Sequence, residues 1–189
     1  MNNIKKYDVM IGGIFASLTI AFLIMSIKNE VFFNWIFERH QNILSWYIRP
    51  LFLIPFAFFA YKRSWSGIFI TIFCIFTSMF WFNKPEIINL QVKEFLEFEK
   101  EWLFSIWDYK KILLALTVPV SFFLLGLAFW KRSLWLGLSV VVLIASGKIV
   151  WSIYNASESG KKILIPAIIG LIFCILLIYY GFRRLENKK

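Results

Sequence analysis

Six apolar runs, each close to membrane length, constrain this chain more than anything else in it. They cover residues 9–27, 43–61, 65–82, 112–130, 134–153 and 163–182. A helix needs about 20 mainly apolar residues to cross the hydrocarbon of a bilayer. In that medium the backbone must satisfy its own polar groups, which a helix does within one segment. Composition points the same way. Residues of the AVILMFWYC class make up 60% of the chain, with 22 Phe and 9 Trp, and the mean hydropathy is +0.70. A soluble domain averages about 45–50% on a similar count. The expected fold is an all-α membrane protein: one polytopic domain over 1–189, built as a six-transmembrane-helix bundle. The first run follows Lys5 and Lys6, as a signal peptide would, but ends without a small-residue cleavage pattern. It reads as an uncleaved anchor.

The net charge of +10 is distributed by topology. With six spans, Lys5, Lys6, Lys62, Arg63, Lys131, Arg132, Arg183, Arg184, Lys188 and Lys189 share one side with only Asp8 and Glu186. The other side holds as many cations, but nine acids accompany them, several in a long loop. Basic residues crowded into tight turns mark the cytoplasmic face. The chain is therefore expected in the cytoplasmic (inner) membrane, multi-pass, with both termini cytoplasmic. The basicity gives no reason to expect a nucleic-acid partner.

Lys62, Arg63 and Ser64 join the second and third runs, and Lys131, Arg132 and Ser133 join the fourth and fifth. The likeness extends outward. Pro50 and Pro119 stand equally far before the two turns, while Gly67 and Trp81 match Gly137 and Trp151 if one residue is inserted. A parallel hairpin repeat accounts for this, as does convergence of two hairpins on the same interfacial residues.

Between the third and fourth spans, Ile88, Val92, Phe95, Phe98, Trp102, Leu103 and Ile106 recur at three- and four-residue spacing, with Lys93, Glu94, Glu97, Lys100, Glu101 and Asp108 opposite. The pattern predicts an amphipathic interfacial helix over 86–107, lying on the outer leaflet. Residues 28–42 read as a loop whose aromatics suit the headgroup layer, with Asn42 capping the second span.

Few residues carry chemistry. There is one His and there are two Asp, Asp8 and Asp108, neither deep within a run. Cys74 and Cys174 lie inside apolar runs and read as buried thiols. No pattern for a metal, a cofactor or a nucleophile is present. Arg49 and Lys148 are the informative residues, because ionisable groups within spans face cavities, pair, or snorkel to the interface. Both lie near the outer ends of their spans. A shared outward-facing pocket would be lined by Arg49, Lys148, Glu38, His40, Glu86, Glu97 and Glu101, and would take an anionic small molecule or a lipid headgroup. The first expectation is small-solute transport or binding. A membrane-embedded enzyme acting on a lipid or lipid-linked substrate at the outer leaflet comes second and requires His40 and Glu38 to converge with the Glu-rich helix. A third reading is an accessory subunit. For that role Gly12, Gly13, Ala16 and Ser17 offer a face where a partner helix could approach closely.

Overall fold

The computed structural model describes residues 3–187, which are helical with no strand among them. Lys188 and Lys189, counted above, lie outside the described residues, as do the side chains of Glu158 and Glu186. The helices are α1 (Asn3–Lys28), α2 (Glu30–His40), α3 (Leu44–Leu51), α4 (Leu53–Lys62), α5 (Trp65–Thr77), α6 (Leu90–Phe104), α7 (Tyr109–Trp130), α8 (Leu134–Gly160) and α9 (Leu164–Glu186). Short 3-10 turns at Ser78–Phe80 and Lys161–Ile163 extend α5 and link α8 to α9.

Five segments are long and apolar enough to cross a membrane: Lys5–Lys28, Leu44–Lys62, Tyr109–Trp130, Leu134–Ala156 and Lys161–Leu185. Their outward faces carry residues such as Phe123, Leu143 and Phe173, all more than half exposed. Apolar surface on that scale needs lipid as its solvent. The protein is an all-α integral membrane protein. The third expected span is the shorter apolar helix Trp65–Phe80.

Three local expectations change. Residues 28–42 are largely a helix, α2, because the Asn29 side chain accepts from Phe32 N at 2.9 Å and starts it. The second span is two helices, since Pro50 and Pro55 remove the amide donors that would reach Trp46 and Leu51. The chain turns at Phe52 between them. The interfacial helix expected over 86–107 begins only at Leu90, capped by Asn89. Its apolar stripe does not lie open to a leaflet: Val92, Phe95 and Leu96 are buried with Trp46 and pack beside Trp151. Asp108, assigned above to its polar face, instead caps α7 through Lys111 N at 2.8 Å.

The bundle is ordered by contact. α1 packs on α5, α4 on α5 and α7, α7 on α8, and α8 on α9, which returns to α3 and α4. The centre is where α4 crosses α7: Phe56, Ala57, Ala60, Leu125, Ala128 and Phe129 are sealed from solvent. Small residues let two backbones meet there, the main source of helix affinity where lipid is as apolar as the core.

The two basic turns are built alike. In each the last helical residues close a left-handed C-cap, with Arg63 N on Ala60 O and Ser64 N on Phe59 O, then Arg132 N on Phe129 O and Ser133 N on Ala128 O. Arg63 and Arg132 both stand at φ 58°, a conformation usually left to glycine. The turns also clasp each other. Arg63 Nε donates to Trp130 O at 3.3 Å, and the Arg132 guanidinium lies 5.1 Å over Tyr61. Farther from the turns the likeness ends, since Pro50 precedes a break whereas Pro119 sits within unbroken α7.

Helix α1 is fixed by one carboxylate. Asp8 accepts from Ser64 Oγ at 2.7 Å, Trp65 N at 2.8 Å, Ser66 N at 3.2 Å and Ser66 Oγ, so it caps α5 from another helix. A negative charge at a helix N-terminus also meets the positive end of its dipole. Asp8→Ala is expected to lower stability by about 1–2 kcal/mol, read as an earlier unfolding transition in detergent. Asp8→Asn should recover part of that loss.

Candidate functional site

A group of polar side chains converges at the end of the bundle away from the two basic turns, where α2 ends, α3 begins, and α6 meets α8. His40, the last residue of α2, is 3% exposed. Its Nδ1 lies 2.8 Å from Ser45 Oγ, and its Nε2 lies 3.3 Å from Arg49 Nη1. A guanidinium only donates, so Nε2 accepts and Nδ1 carries the proton, which it gives to Ser45. Ser45 Oγ passes its own proton to Asn42 O at 2.7 Å, while Trp46 Nε1 binds His40 O at 3.0 Å. Asn42 Oδ1 accepts from Leu44 N at 3.1 Å, but the N-cap of α3 is Ile43, which has no side-chain cap, so Asn42 lies one residue before the position expected of it.

Arg49 is the unusual member. Among the described residues its one hydrogen-bond partner is the neutral imidazole of His40, and no carboxylate lies within 4 Å of it. A guanidinium has five N–H donors. On α8, Lys148 Nζ donates to Glu99 Oε1 at 2.6 Å and lies 4.5 Å over the Trp151 ring and 5.4 Å over Phe95. The Glu99 carboxylate acts electrostatically on Arg49 as well. Two cations from α3 and α8 therefore face one anion from α6. Trp151 Nε1 is buried in this region with no acceptor among the described residues.

The structure thus brings together Arg49, Lys148 and His40, and leaves the expected acids elsewhere. Glu38 pairs with Lys84 at 3.2 Å on the surface, and Glu86 is exposed. Glu97 and Glu101 lie along another face of α6 and line a separate cavity. The convergence of Glu38 with His40 that an enzyme would need is absent from this arrangement, since both ring nitrogens of His40 are engaged by Ser45 and Arg49. Glu99 was missed because it falls between the apolar and polar stripes of α6. The available signal was its spacing, one turn beyond Phe95 on the side that becomes buried.

The small-residue face of α1 divides. Gly12 meets the backbone of Trp65, with space of only 3.0 Å for a Cβ, and Ala16 is half-buried on the same side. Gly13 and Ser17 are exposed.

Comparison with known protein families, with curated proteins and with solved structures finds no match.

Burial holds the His40 imidazole well below its ordinary value of 6.5, and the positive charges of Arg49 and Lys148 push it the same way. The folded chain keeps His40 neutral where the unfolded chain would take up a proton. Its contribution to stability is therefore complete above about pH 6.5 and is lost as pH falls below that value. The thermal transition in detergent is expected to drop between about pH 7 and about pH 5. His40→Asn, which keeps a donor for Ser45, should flatten that slope; an unchanged slope would assign the acid sensitivity to other groups.

Proposed function

We propose that the protein binds, and in membranes transports, a small anionic solute through an outward-facing site at Arg49 and Lys148. One observation carries this reading: a guanidinium with spare donors and a lysine both depend on one carboxylate, Glu99, which belongs to the protein itself. Glu99 fills the place of an external anion, so ligand entry is an exchange of one carboxylate for another charged group. Lys148 and Glu99 are only partly shielded, 45% and 20% exposed, so their pairing is weak enough to be displaced. Trp151 Nε1 adds a donor for an incoming oxygen.

A titration of the purified protein with phosphate, sulfate and small carboxylates, read by thermal shift, tests this. At least one anion should stabilise the protein, and Lys148→Met should weaken that effect about tenfold while folding stays nearly intact. Glu99→Gln, which removes the internal competitor, should tighten binding. If no anion stabilises either the native protein or Glu99→Gln, the site is not an anion site.

The same reading places six spans in the cytoplasmic membrane, with Trp65–Phe80 crossing as the third and both termini inside. Its support is the acid-poor basic clusters at Lys62, Arg63, Lys131 and Arg132. It is also supported by the contacts that gather the start of α1, both turns and the end of α9 at one end of the bundle, Phe182 lying 4.7 Å from Tyr61 and 5.0 Å from Phe129. In a chain lacking Cys74 and Cys174, Lys6→Cys and Ile106→Cys should react with an impermeant maleimide from opposite faces. Reaction from the same face would refute the topology.

A further inference from the structure

A cavity of about 650 Å³ opens between the end of α1, the start of α2 and the outer face of α6. It shares no residue with the Arg49 cluster, and its character is different. Ile27, Phe33 and Phe104 form apolar walls, while its charges are of both signs: Lys28 and Lys100 against Glu30, Glu97 and Glu101. Its volume lies within the range of small-molecule sites, roughly 300–1,000 Å³.

Opposite charges around one opening would ordinarily pair. Here, among the described residues, none of the five pairs with another. The Lys100 ammonium is held instead by a neutral group, Asn34 Oδ1 at 2.7 Å, and lies 5.9 Å over Phe33. The one ion pair of Glu97 is with Lys93, at 3.7 Å and outside the cavity lining. Cation and carboxylates are thus kept apart and available, the arrangement that suits a ligand bearing both charges. The apolar walls also run out to surface: Ile27 and Phe104 are more than half exposed, and Val31 beside them in sequence to Glu30 is 81% exposed. A ligand seated here would meet charge at one end and lipid-like surface at the other.

The cationic end of that ligand can be specified. Carboxylates accept N–H hydrogen bonds, which a primary ammonium offers and a quaternary one lacks. Quaternary groups favour open aromatic faces; Lys100 covers Phe33, and three carboxylates against one exposed ring, Phe104, favour an N–H donor. We propose that this cavity binds the headgroup of a zwitterionic phospholipid with a primary ammonium. Its phosphate lies against Lys28 and Lys100, its ammonium against Glu30 and Glu101, and its acyl chains run along Ile27 and Phe104.

The full-length protein in mild detergent would be titrated with short-chain phosphatidylethanolamine, phosphatidylcholine and phosphatidylglycerol, and with free phosphoethanolamine, following tryptophan fluorescence. The ethanolamine lipid is expected to bind at least about tenfold more tightly than the other three. Lys100→Gln, which can still reach Asn34, and Glu101→Gln should each lose about tenfold in that affinity with unchanged circular dichroism. Lys148→Met should leave it unaltered, which separates this site from the anion site whichever of the two fails. Equal binding of the choline or glycerol lipid, equal binding of free phosphoethanolamine, or full retention of affinity in both cavity variants would overturn the proposal.

Discussion

In hydrocarbon a broken helix must find protein partners for what the break exposes, and the part of this fold away from the two basic turns depends on one such break. Pro50 and Pro55 interrupt the second span, and α9 closes over the interruption. Gly170 lies so near Pro50 that a Cβ would stand 2.5 Å from its ring, and the Cys174 thiol donates to Pro50 O at 3.1 Å. A span of uniform helix would leave less reason for α9 to return across the bundle to α3. Because it does return, α3 is held as a separate piece with Arg49 in its last turn, and Arg49 meets His40 from α2. The backbone defect and the polar cluster are parts of one arrangement.

What could be read in the residues followed what single-chain periodicity encodes. Long apolar runs announced the helices, and the depth of Arg49 and Lys148 announced that something must accompany them. The Lys-Arg-Ser turns were equally plain. Tertiary pairing was less legible. Asp8 gave no sign that it would cap a helix more than fifty positions away, because a trans cap has no fixed spacing. Lys111 belongs to no sequence pattern that foretells burial, yet it is 7% exposed, donating to Ser105 O at 2.9 Å and lying over Trp107 at 4.5 Å. The amphipathic pattern of α6 was correct in kind, but a period alone cannot distinguish a lipid surface from Trp46 and Trp151 as the cover for its apolar stripe. Residues 28–42 were too rich in aromatics for a clear helical stripe, and only the Asn29 cap sets the start of α2.

Helix α6 separates two polar environments with opposite designs. Toward the bundle it presents Val92, Phe95, Leu96 and one acid, Glu99, matched to cations of other helices. Toward α1 and α2 it presents Glu97, Lys100 and Glu101 around an open space. The inner face is short of negative charge, and the outer one carries both signs around the opening without pairing them to each other. A displacement of α6 would alter both at once, since Glu99 and Lys100 are adjacent on the same turn.

The arginines at φ 58° join two parts of the fold. A glycine at either turn would relieve roughly 1 kcal/mol of backbone strain, but it would also remove the contact of Arg63 with Trp130 or of Arg132 with Tyr61. The two arginines fasten the α4–α5 turn to the α7–α8 turn, so each turn sets a local conformational cost against a contact that reaches from one helix pair to the other.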